Sequence, residues 1–212
     1  MALGTRLRRR RAISTLESSL GPEHPRVATS LSTLASLYTQ EKNYTAALPL
    51  QTRAVEIVER AFGPNHPNVA YQLSGMSAVL RCLKRYSEAE QLASRALGVA
   101  EDRLGPNHPD VALILDNLAA AGSEQGRFKE AEPLYRRAIA IQQKSLAPNH
   151  PDLASSLIDY AALLRKTGRK KQASNLETRA RNILSANPDD RLARLTIDVR
   201  ELERPNSFLP AR

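Results

Sequence analysis

Four histidines occur in the chain, at His24, His66, His108 and His150, each 42 residues after the one before. Each is followed by a proline (Pro25, Pro67, Pro109, Pro151) and has another two residues earlier (Pro22, Pro64, Pro106, Pro148). The surrounding strings LGPEHPRVA, FGPNHPNVA, LGPNHPDVA and LAPNHPDLA are one connector written four times. A fixed period of this size means a stack of similar supersecondary units, in which each unit contacts its neighbours, and it constrains the fold more than any other property of the chain.

The connector reads as a helix stop followed by a helix start. Gly21, Gly63 and Gly105 sit where a left-handed residue ends the preceding helix. The next proline prevents continuation, and the second falls at a first helical position, where its missing N–H costs nothing. Asp110 and Asp152 lie in first turns, placed well against the helix dipole. Between connectors, Val27, Leu31, Leu34 and Tyr38 recur at helical spacing and mark one buried face. A polar break at Glu41-Lys42-Asn43 precedes a second helix, expected from about Thr45 to Ala61. In the second unit Ser87 and Glu90 have the spacing of a capping box, with Thr45 in the same register. Pro49 and Pro133 are expected within about the first turn of their helices. Each unit is thus helix A, a short turn, helix B and a proline-rich connector, and the fold class is all-α.

Small residues narrow the type of repeat. Ala35, Ala47 and Ala54 share register with Ser77, Ala89 and Ala96, with Ala119, Ala131 and Ala138, and with Ala161, Ala173 and Ala180. Small side chains there let helix A and helix B approach closely. The spacing resembles the tetratricopeptide repeat, with Leu31-x-x-Leu34-Ala35-x-x-Tyr38 standing where that family has W-x-x-L-G-x-x-Y. The connector, with LDNLA and GRFKEAEPLYRRAIAI in the third unit, is similar to the long repeats of kinesin light chains and their bacterial relatives. This resemblance implies a right-handed α-solenoid of antiparallel helix pairs. Four units are expected at about 21–62, 63–104, 105–146 and 147–185. Residues 1–20 carry a basic run and a half-repeat, because RRAI at 10–13 matches RRAI at 136–139 and 8–20 therefore read as a helix B without its helix A.

The sequence also departs from the family pattern. Gly122 replaces a large helix-A residue and Glu177 a helix-B aromatic. Gly75 and Gly98 interrupt the second unit, each at a cost of about 0.5–1 kcal/mol against Ala, so that unit is expected to be the softest. Residues 186–212 leave the repeat. Asn187-Pro188-Asp189 signals a helix start, and Leu192, Leu195, Val199 and Leu202 recur at helical spacing, as for a helix capping the last unit, with disorder expected beyond Pro205.

The residues argue against catalysis. Equivalent histidines on stacked units lie about one repeat apart and cannot converge on an ion; each ring is better placed to bond backbone groups at its own helix start. The single Cys82 excludes a disulfide framework and a cysteine-built zinc site and points to a reducing, cytoplasmic setting. The chain has no glycine-rich phosphate loop, GxSxG or CxxC motif. No enzyme activity, metal or cofactor is expected, and no apolar run approaches the 18 residues that would suggest a membrane span.

The expected function is binding by a protein-interaction scaffold. The resemblance implies that helix A lines a concave groove that takes an extended peptide or partner segment. With 31, 34, 35 and 38 buried, the opposite face offers Ser32 and Thr33 from the first unit and Tyr71, Ser74 and Arg81 from the second. Asp116 and Asn117 come from the third, and Asp159, Arg165 and Lys166 from the fourth. Of the asparagines that kinesin light chains present to a peptide backbone in LNNLA, only Asn117 is fully kept, so the resemblance does not carry over the cargo motif. Arg81, Arg165 and Lys166 suggest an acidic partner held by charge-assisted bonds.

The net charge of +9 invites a nucleic-acid reading, using RLRRRR at 6–11 and RKTGRKK at 165–171. The lack of Trp and the 4% aromatic content argue against base stacking. The charge is concentrated: residues 1–19 hold five Arg and one Glu, residues 165–181 seven basic groups and one Glu, and residues 20–164 hold 14 basic against 15 acidic. A third reading is architectural, with a second copy of the chain supplying the surface that the half-repeat at 8–20 lacks.

Overall fold

The structure is a computed structural model that describes residues 2–186, and every regular element among them is a helix. The 187–212 segment, with the expected capping helix and tail, lies outside the described residues. The chain forms two compact units, one ending at Leu146 and one starting at Ala147.

Unit one contains α1 (Ala2–Leu20), α2 (Pro25–Gln40), α3 (Tyr44–Phe62), α4 (Pro67–Cys82), α5 (Tyr86–Leu104), α6 (Pro109–Glu124) and α7 (Phe128–Ser145). Even-numbered helices are the A helices and odd-numbered ones the B helices. Each A helix packs on the B helix that follows it, α2 also packs on α4, and α4 on α6. No two B helices among those described pack closely on each other, so the A helices form the shared inner layer. The core is built from the expected face: Val27, Leu31, Leu34, Ala35 and Tyr38 are buried, as are Leu73, Val111 and Leu115 in later units. A fully buried leucine contributes about 1.5–3 kcal/mol. Ala47, Ala54, Ala89 and Ala96 are wholly buried, and the Ser77 hydroxyl donates to the Ala89 carbonyl at 2.7 Å, a direct measure of how closely α4 and α5 approach.

The connector works as an imidazole cap. Each histidine sits just before its A helix with extended backbone. Its Nδ1 accepts the backbone N–H two residues on: Arg26 at 3.2 Å, Asn68 at 3.1 Å, and Asp110 and Asp152 at 3.2 Å. One orphan donor per helix is thereby satisfied. Gly63 and Gly105 end their helices at φ +82 and +87 with ψ near 160. This is the mirror of extended backbone rather than the left-handed helical region expected, and it is even more restricted to glycine.

Two local expectations fail. Ser87 does not cap α5, because the helix starts one residue earlier; Arg85 is the cap residue, makes no side-chain cap bond, and pairs with Glu88 instead. In α3 the cap is Asn43, whose Oδ1 accepts from Ala46 N at 3.3 Å. Because these helices start early, Pro49 and Pro133 lie inside α3 and α7 rather than in the first turn. The turn before each B helix explains the early start. The middle of its three residues is left-handed throughout, at Lys42, Lys84, Gly126 and Gly168.

On the outer side an arginine on each of three B helices joins a repeat to the one before it. Arg53 reaches the Glu17 carboxylate at 2.7 Å and the Pro22 carbonyl at 3.2 Å. Arg95 reaches Glu59 at 2.7 Å and Pro64 at 3.5 Å, and Arg137 reaches Glu101 at 2.6 Å and Pro106 at 2.9 Å.

Unit two holds α8 (Pro151–Lys166) and α9 (Lys170–Ser185) among its described residues. The pair packs through Leu153, Leu157, Ala161, Leu164, Ala173 and Ala180, all buried.

Candidate functional site

The inner face of unit one is hollowed between its A helices. A cleft of about 410 Å³ lies between α2 and α4, with Thr29, Ser32 and Thr33 on one wall and Val58, Phe62 and Tyr71 among the apolar residues on the other. A second hollow of about 280 Å³ shares Ser32 and Tyr71 and extends to Leu113 and Asn117 on α6. Tyr71 and Leu113 are 50% and 43% exposed, large apolar groups held open to solvent.

The floor is a buried amide network. Gln51, on α3, is 3% exposed and reaches inward between α2 and α4. Its Nε2 donates to the Gln72 backbone carbonyl and to Gln72 Oε1, both at 2.9 Å, and its Oε1 accepts from the Ser32 hydroxyl at 3.3 Å. Gly75 makes the room: a Cβ there would lie 2.8 Å from Gln51 Nε2. A neighbouring bond joins α6 to α4, from Asn117 Nδ2 to Ser74 Oγ at 2.8 Å.

Of the expected groove residues, Ser32, Thr33, Tyr71, Ser74 and Asn117 come together around these hollows. Thr33 is exposed, with its hydroxyl bonded to the Thr29 carbonyl at 2.7 Å. Ser74 is 1% exposed, a support for Asn117 rather than a presented group. Arg81 and Asp116 line neither hollow. Arg81 is half-buried with its Nε enclosed and without an acceptor, and Asp116 accepts from Gln142 Nε2 at 3.3 Å.

Asp159, Arg165 and Lys166, all exposed, belong to unit two. Arg165 is not an open cation. Its Nε and Nη2 donate to Glu177 Oε1 and Oε2 at 2.5 and 2.6 Å, so the charge expected to hold an acidic partner is already matched within the α8–α9 pair. The hydrogen bond to Glu177 raises the Arg165 pKa further above its ordinary value.

Leu113 was missed although it stands in the register of Tyr71, one period later. Gln51 and Gln72 were missed because neither belongs to the expected groove face; only the approach of α3 brings them to it. Cys82 is half-buried. Burial, with a smaller effect of the Cys82 thiol, pushes the nearby Tyr44 phenol above its ordinary pKa. Among the described residues no group of three or more His, Cys, Asp or Glu side chains is placed to hold a metal ion, and no helix is long and apolar enough to cross a membrane.

The tetratricopeptide repeat family model matches residues 26–102, 71–144 and 110–186, and the chain belongs to that family. Its repeats define a protein-interaction scaffold, a class whose folds are generally non-catalytic. Among solved structures, a Podosopora anserina protein described as kinesin light chain nearly identical TPR-like repeats is similar at 22% identity and a TM-score of 0.62, over 90% of this chain and 89% of that one. BtubC (BKLC) from P. vanneervenii matches at 21% identity and a TM-score of 0.63, over 89% and 70% of the two chains. A Rap protein complexed with competence and sporulation factor matches at 17% identity and a TM-score of 0.67, over 78% of this chain and 45% of its own. At these identities the likeness is one of fold. No curated protein matches the sequence significantly.

Proposed function

We propose that unit one binds an extended segment of a partner protein along its A-helix face. The observation that carries this reading is the pair Tyr71 and Leu113, half-exposed in the same register of the packed helices α4 and α6. Large apolar side chains beside a polar-walled hollow are the usual anchors of an interface, each supplying about 1.5–3 kcal/mol when covered. The hydroxyls of Ser32 and Thr33 and the Asn117 amide, beside those anchors, offer partners to a peptide backbone. The Rap protein, whose fold this chain shares, is seen with a bound factor, which adds support for a binding role.

Selection from a displayed random-peptide library tests the proposal. Peptides selected on the natural protein should bind the Tyr71→Ala/Leu113→Ala double variant at least about tenfold more weakly, with thermal unfolding unchanged. Equal binding by the double variant, or a library that yields no binder, would overturn it.

A further inference from the structure

We infer that the exposed face of α9 is a docking surface for the phosphate backbone of duplex nucleic acid, recognised by charge and not by base sequence. The inference concerns unit two and does not depend on the peptide binding proposed for unit one. It starts from a contrast among the B helices. Those of unit one carry acids that meet arginines: Glu59 meets Arg95, Glu90 meets Arg127 and Glu101 meets Arg137. The single acid of α9, Glu177, is turned inward, 11% exposed and matched by Arg165. Lys170, Lys171 and Arg181 stay exposed on the same helix, and none of the three has an acidic partner among the described residues. Lys170 and Arg181 lie about three turns apart, on one side of the helix and about 16 Å from each other along its axis. Lys171 sits beside the first, and the exposed Ser174 and Asn175 lie between the two.

Two features mark this surface as one that draws an anion. α5 and α7 each have an acid in the first turn, where it complements the helix dipole, whereas α9 has none there and opens with Lys170-Lys171. Two ammonium groups at the positive end of a helix are repelled by it and by each other, and an anion relieves both. Arg181 stands in the register of Val55, Leu97 and Ile139, so a cation replaces an apolar residue that the earlier B helices bury or half-bury.

The chemistry of the face names the occupant. Among the described residues of unit two no large apolar side chain is exposed. The face therefore offers neither the anchors of a protein interface nor a group to enter a lipid layer. A second copy stacking end to end would bring residues 1–19, with five Arg and one Glu, against like charge. Lysines and arginines interspersed with hydroxyl and amide groups are the side chains that contact phosphates and sugars, without reading bases. Tyr160, the aromatic residue of unit two among those described, is buried and stacks no base. A duplex, with twice the charge density of a single strand, is then the better ligand.

Fluorescence anisotropy of a labelled mixed-sequence duplex, titrated with the full chain at a series of salt concentrations, tests the inference. Affinity should fall as salt rises. Lys170→Gln/Lys171→Gln/Arg181→Gln should weaken binding at least about tenfold at low salt and flatten the log–log slope by about three, with thermal unfolding unchanged. Arg60→Gln/Arg85→Gln/Arg103→Gln removes the same charge from cations of unit one that already face an acid, and should weaken binding little. Scrambling the duplex sequence should change nothing. Equal losses in the two triple variants would reduce the effect to net charge, and no loss in the α9 variant would move it to the arginine run at 6–11; either result overturns the inference. So would polyglutamate or phosphatidylserine vesicles that bind through the same three residues as tightly as the duplex. Tyr71→Ala/Leu113→Ala should leave duplex binding as it is, and a loss there would place the duplex on unit one instead.

Discussion

Gln51 in unit one and Glu177 in unit two occupy the same helix-B register, which Tyr135 fills with an aromatic ring in the third repeat. Both bring a polar group to a place built for an apolar one, and they resolve the conflict differently. Glu177, with its side chain 11% exposed, is closed off by a two-pronged arginine from the adjacent A helix. Gln51 is neutral and is shared among Ser32, the Gln72 backbone and the Gln72 side chain, so that a donor is left over on the cleft side. An ion pair that satisfies itself is a structural device. A shared amide chain instead leaves one N–H group facing the cleft, within reach of solvent.

The contrast breaks most sharply at Gly75. Gly75→Ala would put a methyl group into contact with Gln51 Nε2, where Gln51 must move and its bonds are lost; a loss of about 1–3 kcal/mol is expected in denaturant unfolding. Gly98→Ala, in the same repeat, meets nothing within 4 Å and should instead gain about 0.5–1 kcal/mol. Two gains of equal size would show that Gly75 makes no room for anything.

The ionic side breaks at Arg165. Arg165→Ala leaves a mostly buried carboxylate without its cation, and about 1–2 kcal/mol should be lost, the half-exposed arginine moderating the effect. Adding Glu177→Tyr should recover most of that loss, because the register accepts a ring in the third repeat. Failure to recover in thermal melts would show that the pair does more than fill its slot.

The smallest effect sharpens the comparison within unit one, where Glu90 pairs with Arg127. The hydrogen bond from Arg127 holds the Glu90 carboxyl below its ordinary value of 4.5, against the opposing effect of burial. A carboxylate with a lowered folded pKa contributes stability above the unfolded value and loses it as pH falls through the folded one. Glu90→Gln should therefore cost under about 1 kcal/mol at neutral pH, and the difference from the natural protein should shrink below pH 4.5. A gap that persisted in acid would assign the contribution to packing.

The architecture was readable because every signal for it is local and repeated. The connector strings gave helix ends, the histidine caps and the first-position prolines, and the small residues gave the approach of A to B. The site was only partly readable because it depends on which helices meet. Gly75 read as a weak point in α4, since nothing local shows that α3 sends a glutamine against it. Arg165 read as an open cation and Glu177 as an odd substitution, although their registers on facing helices together describe one ion pair. Ser87 and Glu90 carried a cap spacing, but the left-handed turn at Lys84 puts the cap at Arg85 and starts α5 two residues too soon for it.

The outer arginines carry a consequence for length. Each reaches back to a glutamate and a connector carbonyl of the preceding repeat, and both targets sit at fixed distances along the chain. A segment of 42 residues can be added or removed between two connectors with every such clasp re-formed, since Arg53, Arg95 and Arg137 are interchangeable in register. Any other increment placed between an arginine and its glutamate would break the clasp that spans it. The outer seam thus acts as a ruler: it permits the array to change size only in whole steps, while the inner face is free to vary its binding chemistry from one step to the next.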